Sequence, residues 1–225
     1  MLIELEYPEP KQVSLPAGKT LLVIVDMAKE TCDPAGRSYH AARGQMVPVI
    51  AELRRRVREA GGLVIHTQSV RTPDQLEFTV FNNVIRHLEG TWDVEFVEAL
   101  TPASDEPVVV KRTHDCFYKT DMEEGLERLG IRPGDGRVII TGTAARGCVQ
   151  CAVMGFSIRD YYVYTPMDCI AQTDPKDALQ AFSLYTNFGY RYNVTPTMSS
   201  MISLMPDPTQ TPQIRAEEQT SVARS

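Results

Sequence analysis

Three residues able to do covalent chemistry stand directly after apolar runs. Asp26 closes Leu21-Leu-Val-Ile-Val25 and Lys111 closes Val108-Val-Val110. Cys148 follows Val138-Ile-Ile140 through the turn Thr141-Gly-Thr-Ala-Ala-Arg-Gly147. Together they form a nucleophilic set without a histidine: an ammonium stabilises a thiolate, and a carboxylate takes and returns its proton. Cys148 opens a helical pattern, so its sulfur is expected at a helix N-terminus. Unpaired N–H groups there favour the thiolate and can hold an oxyanion. Each residue also has a plain structural reading. Cys148 suits a small buried hydrophobe, Asp26 a turn cap, and Lys111 a side chain reaching for solvent. Their shared position at strand ends favours chemistry, because ligands of an open α/β sheet bind outside the carboxyl ends of its strands. His66-Thr67-Gln68 follows Leu63-Val-Ile65, so His66 is expected to line the same site. His40, His87 and His114 are expected on the surface or in loops.

The elements that must position these residues alternate along the chain. Short apolar runs at 21–25, 63–65, 108–110 and 138–140, with a fifth at 161–164, show no strict alternation, as expected of strands covered on both faces. Helical patterns fall between them at 47–60, 121–129, 149–160 and 177–187, the first stopped by Gly61-Gly62. Strand and helix in repeated alternation predict an α/β fold with an open sheet and crossover helices. The stretch 70–105 is long, irregular and rich in aromatics (Phe78, Phe81, Trp92, Phe96), which marks it as a functional loop. Residues 1–205 are expected to form the domain, and 206–225, rich in Pro, Gln, Thr and charge, a mobile tail.

Composition narrows the function. The 225 residues are 43% hydrophobic and 23% charged, which suits one α/β domain. A net charge of −6 gives no general attraction to nucleic acid or anionic lipid. The acidic N-terminus does not read as a signal peptide, and no apolar run approaches the roughly 20 residues needed to span a bilayer. Five scattered cysteines read as reduced thiols, so the expected compartment is the cytoplasm. The turn before Cys148 has P-loop glycine spacing but lacks the Lys-Ser/Thr that holds phosphate, and no Gly-x-Ser-x-Gly elbow is present. Cys148-Val-Gln-Cys151 is a Cys-x-x-Cys, the signature of a thiol–disulfide redox protein, which stands as the rival reading. Zinc is not expected, since a second close Cys/His pair is missing.

Three segments resemble the isochorismatase-like cysteine hydrolases, which include nicotinamidase and N-carbamoylsarcosine, ureidoacrylate and biuret hydrolases. They are Leu22-Val-Ile-Val-Asp26-Met27, Val110-Lys111-Arg-Thr-His-Asp-Cys-Phe117-Tyr-Lys-Thr120-Asp121-Met, and Ile140-Thr-Gly142-Thr-Ala-Ala-Arg-Gly-Cys148-Val149. The resemblance runs from about residue 20 to 204. It implies a three-layer, Rossmann-like, mostly parallel six-stranded sheet carrying an Asp26–Lys111–Cys148 triad. It implies that Cys148 attacks an amide or ureide carbonyl, that Asp26 shuttles the proton, and that Lys111 lowers the thiol's pKa. It also implies a cis peptide between Thr143 and Ala144, an oxyanion held by the N–H groups of Ala144 and Cys148, and a thioester resolved by water.

Departures from the family pattern narrow the substrate. Ser69 and Arg71 stand where nicotinamidases carry metal ligands, so the resemblance implies a metal-independent enzyme without cofactor. Isochorismatase itself lacks the nucleophilic cysteine, so Cys148 points to C–N hydrolysis of a small amide or N-carbamoyl compound. His66, Gln68, Arg71, Trp92, Phe117, Tyr118 and Gln172 are expected around the substrate, Arg71 facing any acidic group. Phe78, Phe81 and Phe96 are expected in the core. Family habit implies a homodimer or homotetramer, with Phe188-Gly-Tyr-Arg-Tyr192 as a candidate contact. A catalytically silent binding member of the same fold is the third reading.

Overall fold

Each apolar run becomes a strand, and every strand pairing is parallel. The computed structural model describes residues 7–76, 80, 86–171, 173–186 and 193–206. The strands are β1 (Val13–Pro16), β2 (Thr20–Val25), β3 (Leu63–Ser69), β4 (Val108–Lys111) and β5 (Arg137–Thr143). They continue with β6 (Tyr162–Pro166), β7 (Ile170–Ala171), β8 (Val194–Thr197) and β9 (Ile202–Met205). The main sheet runs β4-β3-β2-β5-β6-β8, with the two-residue β7 against the end of β5. β1 and β9 form a separate pair. Chain order reverses between β2 and β5, so the crevice expected of such sheets opens where Asp26 and the Cys148 turn emerge.

All six residues of β2 are buried, and their alternation divides the core in two. Leu22 and Ile24 join Ile139 under helix α2 (Ala41–Glu59), which follows the single-turn α1 (Lys29–Cys32) and contributes Ile50, Leu53 and Val57. Leu21, Val23 and Val25 join Ile65, Val138 and Ile140 on the other face. That face is covered by α3 (Met122–Arg128), α4 (Cys148–Ile158) and α5 (Pro175–Thr186). Each such aliphatic side chain, fully buried, stabilises the fold by roughly 1.5–3 kcal/mol. The three layers match the expected class. No helix among the described residues is long and apolar enough to cross a membrane.

α2 begins six residues before the apolar periodicity does. His40 caps it, its Nδ1 accepting from the Ala42 N–H at 3.3 Å, and Pro48 lies inside the helix. The loop after β3 is partly ordered by short bridges, Arg71 with Leu88 and Ala28 with Phe96. Phe96 lies edge-on to His66, with ring centroids 5.5 Å apart. Phe78, Phe81, Gln172, the 188–192 segment and the expected tail beyond Pro206 lie outside the described residues.

Candidate active site

Three strand ends bring the site together. Asp26 leaves β2 with φ +51°, a conformation that Asp tolerates better than most residues. Its N–H donates to the Thr67 carbonyl at 3.2 Å, and its own carbonyl accepts from Ala28 at 2.9 Å. Lys111 is the last residue of β4, two strands away, and is 1% exposed. Cys148 is the first residue of α4, so its sulfur stands at that helix's N-terminus. β5 can run this close to β2 because residue 142 is glycine. Gly142 has φ +110°, and a Cβ there would collide with the Val25 carbonyl oxygen.

The turn before Cys148 is held from several sides. The Thr143–Ala144 peptide is cis. The Ala144 carbonyl accepts from Gly147 at 2.9 Å and from Val149 at 3.3 Å. Ala145 donates its N–H to Ala171 of β7 at 3.1 Å, and its carbonyl accepts from the buried Tyr185 hydroxyl.

The side chains of Asp26, Lys111 and Cys148 meet. Lys111 Nζ lies 2.7 Å from Asp26 Oδ2 and 3.2 Å from Cys148 Sγ. It also donates to the Thr113 carbonyl at 3.1 Å and to Ser69 Oγ at 3.3 Å. Thr67 Oγ1 donates to Asp26 Oδ1 at 2.7 Å. Burial raises the Asp26 pKa, but the Lys111 charge and hydrogen bonds from Cys148, Lys111 and Thr67 outweigh it, so the carboxyl sits below its usual range. Burial works against the Lys111 ammonium, yet the charges of Asp26 and Cys148 hold its pKa above normal. At Cys148 burial is the largest influence. Together with the Asp26 charge it pushes the thiol well up, and Lys111 offsets only part. Lys111 acts on the thiol in the expected direction, lowering its pKa, against the larger opposing effect of burial. A thiolate would add a second buried negative charge beside a carboxylate that already shares the single ammonium.

Of the outlying residues expected at the site, His66 is placed elsewhere. It pairs with Ile24 in register and so faces α2, where its Nε2 lies 2.9 Å from the buried Glu106 carboxylate. Glu106 also accepts from Arg54, Arg58 and the Ala103 N–H. Phe117 is core, not wall: its ring packs on Phe156 at 4.9 Å, against Gly155, with the Arg159 guanidinium over its other face. Gln68 donates to the Val94 carbonyl at 2.8 Å. Trp92 is exposed, with Lys29 Nζ 5.7 Å from its ring, and Tyr118 is exposed beside Lys119. Arg71, just past β3, lines two cavities. One, of about 610 Å³, is bordered by Arg37, Arg43, Arg86, His40 and His87 as well. The other, of about 310 Å³, is bordered by Arg112, Thr113 and His114.

Sequence reasoning leaves out two contacts. Thr67 faces Asp26 because alternation along β3 turns it opposite to His66, a signal present in the strand itself. His114 lies in an exposed loop, as expected, but its Nδ1 is 3.1 Å from Cys148 Sγ. No periodicity marks such a residue. Among the described residues no group of three or more His, Cys, Asp or Glu side chains could hold a metal ion.

Known proteins share this arrangement of elements. The chain is 27% identical over 221 residues to the ureidoacrylate amidohydrolase RutB of Methylorubrum extorquens, covering 86% of this chain and 87% of that one. The N-carbamoylsarcosine amidase of Thermoplasma acidophilum superposes with a TM-score of 0.69 at 23% identity, covering 80% of this chain and 96% of that one. A cysteine hydrolase from Pseudomonas syringae pv. phaseolicola gives 0.72 at 23% identity, covering 89% and 95%. The isochorismatase domain profile matches residues 20–194, spanning the whole main sheet from β2 to the start of β8. On the extent of that match, the chain belongs to the isochorismatase family.

Proposed function

We propose that this protein hydrolyses the C–N bond of a small amide or ureide, of the N-carbamoyl type, with Cys148 as nucleophile and no metal. The observation that carries the reading is Lys111 Nζ bridging Asp26 Oδ2 and Cys148 Sγ. As Sγ attacks the substrate carbonyl carbon, the thiol proton passes to the Asp26 carboxylate, which is hydrogen-bonded to Cys148 and held below its usual pKa range by Lys111 and Thr67. The developing oxyanion is held by the N–H groups of Ala144 and Cys148, the latter a first-turn amide without an intrahelical partner. Asp26 then gives the proton to the departing nitrogen as the C–N bond breaks, leaving a thioester on Cys148 that water resolves. Lys111 keeps the carboxylate ionised and stabilises negative charge on sulfur.

The 610 Å³ cavity is not lined by Cys148 itself but shares Arg71 with the recess that His114 borders, and its charge supports a substrate bearing a carboxylate. Among the described residues four arginines and two histidines border it and no acidic side chain does, Arg37 being paired with Asp93 from outside the lining, and Arg43 Nε and His87 Nδ1 are buried without a hydrogen-bond partner. The relatives named for ureidoacrylate and N-carbamoylsarcosine accord with this reading. The test is ammonia release from ureidoacrylate, N-carbamoylsarcosine and other N-carbamoyl amino acids, biuret and nicotinamide, without added metal. Wild type and Cys148→Ala are run side by side. Release by wild type alone is the expected result. Release by both proteins removes Cys148 from the chemistry, and a requirement for Cys151 as well would favour the redox reading.

A further inference from the structure

The 610 Å³ cavity carries more positive charge than one carboxylate offsets. Arg37 at its border is already paired, with Asp93 at 2.7 Å and with the buried Glu30 at 3.7 Å. Arg43 and Arg86 border it too, and neither has an acidic partner among the described residues. Ser38 holds both. Arg43 Nη1 donates to its carbonyl at 3.1 Å, and Arg86 Nη1 to its Oγ at 2.8 Å. Ser38 is fixed in turn by the fully buried Glu30. Its N–H donates to the Glu30 carbonyl at 3.2 Å and its Oγ to Glu30 Oε1 at 3.0 Å.

One serine thus gathers two guanidiniums that no acid on the cavity wall neutralises. Like charges held this close repel, and burial already works against the Arg43 cation. A ligand with a single carboxylate relieves only one of them. His87 adds no further charge: burial and the Arg71 guanidinium hold its pKa below the ordinary imidazole value. The two guanidiniums also stand at different depths. Arg86 is exposed, whereas Arg43 is half-buried and its Nε is buried without a hydrogen-bond partner. Two separate anionic groups match that arrangement better than one compact phosphate.

The cavity adjoins the nucleophile. Arg71 borders both it and the recess where His114 Nδ1 lies 3.1 Å from Cys148 Sγ. The Asp26 charge also acts on His87 in the cavity wall.

We propose that the substrate is a ureide carrying two carboxylates, the N-carbamoyl derivative of an acidic amino acid. This rests on the cysteine-hydrolase reading of Cys148. One carboxylate pairs with Arg86 near the rim and the other with Arg43 further in. The carbamoyl group extends past Arg71 to the sulfur. Arg43 is then the residue that selects for the second charge.

The experiment uses three ureides that differ in one side chain. They are N-carbamoylaspartate, N-carbamoylalanine, which lacks the second carboxylate, and N-carbamoylleucine, which keeps the bulk without the charge. Ammonia release is measured for wild type, Arg43→Gln, Arg43→Lys and Cys148→Ala. In wild type kcat/KM for the aspartate compound is expected to exceed both others about tenfold or more, the scale of one added charge-assisted hydrogen bond. Arg43→Gln should bring that ratio near one. Arg43→Lys, which keeps the charge without the planar fork, should leave it intermediate. Succinate should inhibit wild type about tenfold more tightly than butyrate or inorganic phosphate. The wild-type comparisons stand whether or not a variant folds. A wild-type ratio near one, a ratio untouched in both Arg43 variants, or phosphate tighter than succinate overturns the proposal and leaves Cys148 as nucleophile. No release from any ureide by wild type, or equal release by Cys148→Ala, overturns the underlying reading, and this proposal with it.

Discussion

Thr67 donates a 2.7 Å hydrogen bond to Asp26 Oδ1 from the neighbouring strand, leaving Oδ2 to Lys111. The two contacts fix the plane of a buried carboxylate that must swing neither toward solvent nor away from the sulfur. In Thr67→Val that anchor is lost while volume is kept. A hydrogen bond to a charged group is worth about 1.5–3 kcal/mol, so kcat/KM is expected to fall roughly tenfold or more. Steady-state kinetics on the best substrate measure it, and an unchanged value would show that Lys111 alone orients Asp26.

Lys111 and Asp26 form a buried ion pair, so removing one charge strands the other. Lys111→Met is expected to abolish activity and to cost about 3–5 kcal/mol of stability. The double variant Lys111→Met with Asp26→Asn, equally inactive, is expected to regain much of that loss because no bare charge remains. Urea midpoints of wild type, the two single variants and the double variant decide it. A double variant no more stable than Lys111→Met would mean that the introduced methionine disrupts packing instead.

Glu106 ties α2 to β3 through Arg54, Arg58 and His66, on the face of the sheet away from Cys148. Burial alone would raise its pKa, but hydrogen bonds from His66, Arg54 and the Ala103 N–H hold the carboxyl well below its ordinary value. A group whose pKa is lowered by folding stabilises the native state above its unfolded pKa and loses that contribution as pH falls. Glu106→Gln is therefore expected to cost about 1.5–3 kcal/mol at pH 7. The gap to wild type should narrow as the pH drops below about 4.5. Denaturant titrations at pH 7 and pH 4 provide the comparison; an equal gap at both values would contradict a depressed pKa.

The arginine-bordered cavity predicts discrimination by charge. Arg86 is exposed and donates to Ser38 Oγ at 2.8 Å, so Arg86→Gln should leave the fold intact. KM for N-carbamoylsarcosine is expected to rise about tenfold, the scale of one charge-assisted hydrogen bond. The kinetics of an uncharged amide such as biuret should be unaffected. An equal change for both would assign Arg86 no part in reading the substrate.

Much of the site is legible in the sequence because Asp26, Lys111 and the Cys148 turn each break an otherwise unbroken apolar run at a strand end. The strands that such runs do not reveal are β1, the two-residue β7, β8 and β9. Val194-Thr-Pro-Thr197 and Ile202-Ser-Leu-Met205 are short, mixed in polarity and lie at sheet edges, so burial writes little into them. Chain position alone puts His66 at the site, although the period-2 rule sends it and Thr67 to opposite faces. The early start of α2 is hidden because Ala41-Ala-Arg-Gly-Gln45 follows a single cap and offers almost no apolar face. His114 is hidden because a loop residue is placed by the fold around it, not by its neighbours in sequence.

The β2–β5 junction at Val25 and Gly142 sets when the protein can first work. Residues 26, 111 and 148 are brought into register only by parallel pairing across β4, β3, β2 and β5, contacts of long sequence separation that form slowly. No hairpin or single helix carries a usable fraction of the site. Regain of activity during refolding should thus track closure of the sheet's centre and lag behind helix formation, making turnover itself a clock for the last cooperative step.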